Sequence, residues 1–361
     1  MTDRRADPLA EVEAIMAQVA AHEDGEFPRE IFTRLMATGL ARLVLADEPD
    51  LRKFCTAVER IAYDWLALAE SVHLQTLAAC TVARFASGEV RAEYLDDLAD
   101  GRAIGANCVS EEQAGSDMGA IALAAVRDGD VYRLTGRKTW VGHAPVANLL
   151  NVYARTSDAG LGGITCFLVD ASAPGVRVAP PARKHAAAAL PTADVTFEDV
   201  VVPATRVLGR RDRGARVAEE LFTQGRIGLA ACAVGLGQAA VDRAVAYARR
   251  RVQFGAPVIR NQGVSFLLAD MATRVQAARQ LLYRACAEVA GGGADALLLS
   301  AQAKLFATEA AMRVTTDAVQ VLGSAAYLPG EPVERWMREA KLLQIIQGTN
   351  QIQRQAIAAR L

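Results

Sequence analysis

The chain changes its hydrophobic periodicity twice, and this change limits the possible fold more than any other feature. From about Gly101 to about Pro203, short runs rich in Val, Ile and Leu are separated by turn residues such as Asp128-Gly129-Asp130. This pattern is typical of β-strands joined by turns. On either side of the block, apolar residues recur every three or four positions, as in amphipathic helices. The sequence therefore predicts helices, then a small antiparallel barrel or sandwich, then helices again.

These transitions predict three domains in an α+β fold. The N-terminal helical domain covers residues 1–104, the middle β domain covers 105–205, and the C-terminal helical domain covers 206–361. The long helical patterns of the last domain predict a four-helix bundle. They cover 216–250, 262–291, 294–323 and 331–359.

Charge and composition exclude several classes of protein. A formal net charge of -1 gives no reason to expect binding to nucleic acid or to an anionic membrane surface. No apolar run approaches the ~20 residues that a membrane-spanning helix needs. The six cysteines stand singly, the histidines have no metal-ligand spacing, and the first residues lack the apolar core of a secretion signal. We expect a cytoplasmic protein with reduced thiols and no metal.

Five short segments contain the residues best suited to chemistry, and they follow one another along most of the chain. They are Asn107-Cys108-Val109-Ser110-Glu111-Glu112-Gln113-Ala114-Gly115-Ser116-Asp117, Lys138-Thr139-Trp140-Val141-Gly142-His143, Arg251-Val252-Gln253-Phe254-Gly255-Ala256-Pro257 with Asn261-Gln262, Asp317-Ala318-Val319-Gln320-Val321-Leu322-Gly323-Ser324, and Gln344-Ile345-Ile346-Gln347-Gly348-Thr349-Asn350-Gln351-Ile352-Gln353-Arg354. In this order and spacing they resemble the motifs of the acyl-CoA dehydrogenase family. The resemblance is weakest over 41–60, where the family has a Gly-rich loop, and this difference is expected to reshape the acyl pocket.

The resemblance implies FAD as the cofactor. Arginine suits the FAD pyrophosphate because its planar fork donates two charge-assisted hydrogen bonds. Because Arg251, Phe254 and Gln320 match positions that serve the FAD of a neighbouring subunit, a homotetramer is expected. The positions that match FAD contacts are Cys108, Val109, Ser110, Ser116, Trp140, Gly142, Arg251, Gln253, Phe254, Gln262, Gln320, Gly323, Ser324, Thr349 and Gln351.

The same resemblance implies an acyl thioester of CoA or of an acyl-carrier protein as the substrate. Ser116, Arg226 and Gly348 match positions near that substrate. The electron acceptor is expected to be an electron-transfer flavoprotein or O₂.

The catalytic base of the family is missing at both of its usual positions. Gln347 stands where most members have the Glu that removes the α-proton, and Gly225 stands at the second position, just before Arg226. An amide has no useful proton affinity near pH 7, so Gln347 is not a general base. Its backbone N–H remains, and thioester polarisation by that group is expected to survive.

Three alternatives follow from the missing base. Another side chain replaces it, with Asp64, Glu70 and His73 as candidates and Glu111 regarded as structural. In the second alternative, the substrate forms its own carbanion by losing CO₂ or sulfinate, or the flavin activates O₂. In the third, the chain is a catalytically silent FAD-binding subunit of a hetero-oligomer. His143 is either a polar group near the flavin or a surface histidine.

Overall fold

The computed structural model describes residues 7–19 and 25–361, and helices form its N-terminal part. Each of these helices buries an apolar face, and α5 is buried on nearly all sides. The helices are α1 (Pro8–Met16), α2 (Arg29–Ala37), α3 (Leu40–Leu45), α4 (Leu51–Asp64), α5 (Leu66–Phe85) and α6 (Gly88–Ala99).

A mixed β-sheet follows the helices. Its strands are β1 (Gly105–Cys108), β2 (Ala124–Asp128), β3 (Val131–Gly142), β4 (Leu149–Arg155), β5 (Ile164–Asp170), β6 (Val176–Val178), β7 (Thr192–Pro203) and β8 (Val207–Leu208). They run in the order β6-β7-β3-β2-β4-β5-β8, and β1 pairs with β4. Strand β8 lies beyond the predicted boundary at residue 205, and that boundary stays a prediction.

Most strand pairs are antiparallel, as predicted, but β4 pairs in parallel with both β1 and β2, so the sheet is mixed. Parallel neighbours need a long connection, and the chain between β1 and β4 supplies one. β1 and β2 were not predicted, because the short stretch Gly105-Ala106-Asn107-Cys108 and the Ala-rich start of β2 carry few β-branched side chains.

Helices return after the sheet and pack as a bundle. α7, α8 and α9 contact one another, and α10 packs on α7 and α9. A short hairpin of β9 (Val252–Gln253) and β10 (Ala256–Pro257) separates α7 from α8. The helices are α7 (Gly214–Arg250), α8 (Gln262–Ala290), α9 (Ala296–Leu322), α10 (Val333–Leu343) and α11 (Asn350–Ala358).

The helix predicted over 331–359 is in fact two helices, α10 and α11. Gln347 has a φ of 51° and Gly348 a φ of 85°, and a right-handed helix cannot contain this backbone. Thr349 then starts α11, because its Oγ1 accepts a hydrogen bond from the Ile352 N–H at 3.3 Å. The break places residues 344–349 in a loop at the end of the bundle.

Two helices are longer and more apolar than the sequence analysis allowed. α5 and α7 reach the length and hydropathy of membrane spans, yet 89% and 72% of the residues in their apolar windows are buried inside the protein. Both are therefore core helices of this fold.

The core depends on a close contact between α7 and α4. A Cβ atom at Gly235 would lie 2.2 Å from the backbone oxygen of Glu59 and 2.9 Å from the Cβ of Ala62. No side chain fits there without separating the two helices.

We expect Gly235→Ala to lower the free energy of unfolding by about 1–3 kcal/mol, because overpacking forces backbone shifts. Chemical denaturation measures this change. Gly263→Ala is the matched control, because a Cβ at this helical position meets no atom within 4 Å. An equal effect of the two substitutions would contradict the tight contact.

Candidate active site

A buried polar cluster lies beside the loop 344–349. The Nε2 of Gln347 donates a hydrogen bond to the Oε1 of Glu70 at 2.9 Å, and the Oε1 of Gln347 lies 3.2 Å from the Nε2 of His73. Glu70 is 2% exposed and His73 is 1% exposed. The structure therefore brings two of the three candidate bases into contact with the residue at the family's usual base position.

Helix geometry and two glycines create this cluster. Glu70 and His73 are three residues apart on α5 and so share one face of the helix. On the facing helix α7, a Cβ at Gly225 would lie 2.6 Å from the Oε1 of Gln347, and a Cβ at Gly228 would lie 2.1 Å from the Nδ1 of His73. The absence of side chains at these two positions makes room for the amide and the imidazole.

Burial sets the charge states of the cluster. Desolvation raises the pKa of Glu70 to about 7, although hydrogen bonds from Gln347 and Cys232 favour its ionised form. Desolvation lowers the pKa of His73 to about 4. At neutral pH, His73 is uncharged and donates its Nε2–H to Gln347, while Glu70 can hold or release a proton.

A second set of buried polar groups fixes the loop. The Nζ of Lys304 donates to the carbonyl oxygen of Gly348 and to the Oδ1 of Asn350, both at 2.9 Å. The Nε2 of Gln353 donates to the same carbonyl at 2.8 Å. Since this carbonyl is held on the α9 side, the peptide groups around Gln347 and Gly348 have a defined direction.

Two buried cations lie near this loop. Desolvation lowers the pKa of Lys304 to about 7, and the positive charge of Arg226 lowers it further. Arg226 is 7% exposed, and its Nε and Nη1 have no hydrogen-bond partner among the described residues. Desolvation lowers the pKa of Arg226 as well. The positive potential of these groups favours a ligand with negative or developing negative charge.

A small, mostly apolar cavity lies beside His73, between α3, α4, α5 and α7. Four of its lining residues fall within 41–60, the segment expected to reshape the acyl pocket, and that expectation stays a prediction. It is lined by Val44, Leu51, Phe54, Cys55, His73, Thr76, Leu77, Gln224, Ile227 and Gly228.

The segment that begins the β domain is tied to β3. The Nζ of Lys138 donates to the Oε1 of Glu111 at 2.8 Å and to the carbonyl of Val109 at 2.9 Å. The Thr139 N–H donates to the carbonyl of Ser110 at 2.9 Å. Glu111 also accepts from two backbone N–H groups. Both of its carboxylate oxygens accept hydrogen bonds within the protein, as a structural role requires.

Trp140 is directed outward by an irregularity in β3. The pairing of β3 with β7 shifts register between Lys138 and Val141, which is a β-bulge. Trp140 has a φ of 57°, and its side chain is 71% exposed. A Cβ at Gly142 would lie 2.9 Å from the Cδ1 of Leu74, which follows His73 on α5. The end of β3 therefore adjoins the helix that carries Glu70, and Leu74 occupies the space that a side chain at 142 would need.

The β9–β10 hairpin exposes another aromatic ring. Its turn residues Phe254 and Gly255 have φ values of 53° and 79°, which matches the tight turns that favour glycine. The side chain of Phe254 is 99% exposed, and its backbone has a conformation that a non-glycine residue rarely adopts. An apolar ring in such a position is suited to contact a partner or a cofactor.

The remaining positions predicted to contact FAD are mostly accessible. Ser116, Arg251, Gln253, Gln262, Gln320, Gly323, Ser324 and Gln351 are exposed, and Val109, Ser110, Gly142 and Thr349 are half-buried. Cys108 is fully buried, so only its backbone is available to a ligand. The flat exposed ring of Trp140 and these accessible polar groups fit a flavin nucleotide.

The structure corrects the predictions for two residues, His143 and Asp64. His143 is completely buried and lies against the rings of Phe27 and Phe32, so the surface alternative was wrong. Burial lowers its pKa to about 4. Asp64 pairs with Arg60 and does not join the Gln347 cluster.

The sequence analysis missed Lys304, Cys232 and Gly228. Lys304 had a usable signal, because it falls on the buried stripe of α9 with Ala307 and Ala311. The contacts of Cys232 and Gly228 depend on how α7 packs against α5, which the sequence alone does not reveal. Among the described residues, no group of three His, Cys, Asp or Glu side chains is arranged to hold a metal ion.

Comparisons with known proteins agree with this architecture. The chain matches the N-terminal domain of acyl-CoA dehydrogenase over residues 7–102, the middle domain over 106–200 and the C-terminal domain over 212–361. It is 37% identical over 354 residues to cyclohexane-1-carbonyl-CoA dehydrogenase of Geobacter metallireducens, covering 96% of this chain and 93% of that protein.

Solved structures extend the similarity to the whole fold. Butyryl-CoA dehydrogenase from Megasphaera elsdenii superposes with a TM-score of 0.95 and 31% identity, covering 100% of this chain and 98% of that one. A structure of PigA with FAD and proline gives a TM-score of 0.93 at 26% identity, covering 100% and 98%.

We expect Lys304→Met to loosen the loop 344–349, because the Gly348 carbonyl loses a donor whose hydrogen bond is worth about 1.5–3 kcal/mol when charged. Hydrogen–deuterium exchange of peptides covering 344–349 should become faster. Lys53→Met is the control, because Lys53 on α4 pairs with Asp7 and its loss removes no hydrogen bond to the loop 344–349. Unchanged exchange in Lys304→Met would show that Gln353 alone holds the carbonyl.

Proposed function

The chain belongs to the acyl-CoA dehydrogenase family of flavoenzymes, and we propose that it oxidises the Cα–Cβ bond of an acyl thioester with FAD as cofactor. Bound FAD would supply the hydride acceptor. The chain's own residues hold the cofactor and polarise the substrate.

The cofactor is held by two groups of residues in this proposal. Trp140 and Gly142 lie at the end of β3 next to α5, Val109 and Ser110 are tied to β3 by Lys138 and Thr139, and these four residues would hold the flavin ring. Thr349 begins α11, where free N–H groups and the helix dipole favour negative charge. Residues on the β9–β10 hairpin and at the end of α9 would hold the FAD of a neighbouring subunit.

The observation that carries the proposal is the fixed loop around Gln347. No backbone carbonyl in the described part of the chain accepts a hydrogen bond from the N–H of Gln347 or Gly348. The Lys304 contact fixes these donors before a ligand arrives. Preorganised N–H groups beside the cation Arg226 are suited to stabilise negative charge that develops on a thioester oxygen.

The cavity indicates the kind of acyl group. It is small, and most of its lining is apolar, with Val44, Leu51, Phe54 and Ile227 among its walls. A compact hydrocarbon group gains the most from such a site, because burial of each CH₂ contributes about 0.8 kcal/mol only where space exists. We propose a short or cyclic acyl group on CoA or on a carrier protein.

The test is anaerobic mixing of FAD-loaded protein with butyryl-CoA, cyclohexane-1-carbonyl-CoA and palmitoyl-CoA. The flavin absorbance near 450 nm, roughly where oxidised flavins absorb, should bleach with the compact thioesters and far less with palmitoyl-CoA. A bound flavin that none of a broader panel bleaches, carrier-linked thioesters included, would overturn dehydrogenation. The carbanion-forming, oxygenase and silent-subunit alternatives would then apply.

We also propose a cytoplasmic homotetramer, in which each FAD is shared between subunits, with an electron-transfer flavoprotein or O₂ as the electron acceptor. The exposed Phe254 at the hairpin tip and the exposed Gln320 support this arrangement, since both suit contact with a second copy. Light scattering that shows a monomer with tightly bound FAD would contradict it.

Arg251→Ala should weaken FAD binding by about 1.5–3 kcal/mol, the range for a hydrogen bond to a charged group. Fluorescence titration of the apoprotein with FAD measures the affinity. Arg249→Ala is the matched control, because it removes an exposed arginine two residues earlier. Equal affinities in the two variants would remove Arg251 from the cofactor site.

A further inference from the structure

Glu70 lies one hydrogen bond behind Gln347, the residue at the family's usual base position. We propose that Glu70 is the catalytic residue that takes the α-proton of the thioester. This inference rests on the proposed function, and it replaces the missing Glu at position 347 with a carboxylate on α5.

The side chain of Gln347 covers Glu70 in the structure. Gln347 is half-buried in a loop, whereas Glu70 is 2% exposed on a core helix. In this proposal the Gln347 side chain turns aside when substrate binds, and the Glu70 carboxylate is uncovered towards the space beside the loop. Gly225 leaves this space free of a side chain on the α7 side.

The cavity that we propose for the acyl group lies on the same side of α5 as Glu70. His73 lines the cavity and contacts Gln347, and Glu70 precedes His73 by less than one helical turn. In this proposal the acyl group occupies the cavity, and its α-carbon lies beyond His73, near Glu70 and the backbone donors at residues 347–348.

The groups around Glu70 leave it as the proton acceptor. The Sγ of Cys232 donates towards the Oε2 of Glu70 at 3.8 Å, and burial raises the pKa of this thiol well above its ordinary value. His73 is neutral and directs its Nε2–H at Gln347. Lys184 and Lys304 act on Glu70 at longer range and favour its anion. The carboxylate is thus the basic group of the cluster.

The proposed step balances without an oxidant. The Cα–H bond breaks, the proton forms an O–H bond with the Glu70 carboxylate, and the electron pair moves into the thioester carbonyl as an enolate. The N–H groups at residues 347–348 stabilise the enolate oxygen. Reversal of this step in D₂O returns a deuteron to Cα.

The test measures this exchange directly. The FAD-loaded protein is incubated without oxygen in D₂O with methylsulfanylacetyl-CoA, whose sulfur at the β-position prevents hydride loss, and mass spectrometry follows deuterium at Cα. Glu70→Gln should slow the exchange at least ~100-fold, the low end of what a general base contributes. Asp64→Asn is the matched control and should exchange at the wild-type rate.

A paired variant separates a catalytic role from a structural one. Glu70→Gln combined with Gln347→Glu keeps one amide and one carboxylate in contact, with the carboxylate at the family's usual position. It should recover exchange and flavin reduction. Gln347→Glu alone keeps Glu70 and should not exceed the wild-type exchange rate, because two adjacent carboxylates share a proton and one stays neutral.

The pH profile gives a further readout. Wild-type exchange should rise as Glu70 loses its proton, near pH 7, and this rise should move to another pH in the paired variant. A structural role for Glu70 predicts no such movement.

Three outcomes would overturn the proposal. Glu70→Gln could exchange at the wild-type rate, or wild-type protein could reduce its flavin without any exchange. The paired variant could also fail to recover exchange although circular dichroism and the flavin spectrum show a folded, FAD-bound protein. Flavin reduction by the wild type distinguishes these outcomes from failure of the proposed function.

Discussion

The close approach of α7 to its neighbours is the constraint on which the rest of the structure depends. At Gly225, Gly228 and Gly235, a Cβ atom would lie within 2.6 Å of Gln347, His73 or the backbone of Glu59. The same helix therefore closes the core against α4 and leaves space for polar side chains against α5. Fold and site are coupled, since a side chain at any of these three glycines would disturb one or the other.

Buried charge is distributed unevenly over the molecule. Glu111 and Lys138 form a closed pair with all their contacts satisfied, whereas Glu70 and Lys304 have no opposite charge in direct contact. Their pKa values accordingly move towards 7 from opposite sides. The raised pKa of Glu70 lowers the free energy of unfolding as pH rises from 4.5, the pKa of Glu70 in the unfolded chain, to about 7, its pKa in the folded protein. The lowered pKa of Lys304 makes its contribution to the free energy of unfolding lowest below about pH 7, and this contribution increases as pH rises towards 10.5.

The sequence was sufficient to predict the family and the order of helical and β regions, because these depend on motifs with fixed spacing and on local periodicity. It did not predict the parallel pairing of β4 or the break at residues 344–349, which depend on tertiary contacts such as the one from Lys304 to Gly348. Asp64, Glu70 and His73 were equal candidates in the sequence. Only the packing of α5 against α7 separates them.

The identity of residue 347 is explained by its two partners. Glutamine donates to the Glu70 carboxylate and accepts from the His73 imidazole at the same time. Alanine at this position would leave the Oε1 of the buried Glu70 carboxylate without its donor, at a cost of about 1–3 kcal/mol. Glutamate would place two carboxylates in contact. The Glu70 carboxylate on the core helix α5 is therefore better matched by an amide at 347 than by a second carboxylate, and the two side chains form one hydrogen-bonded unit.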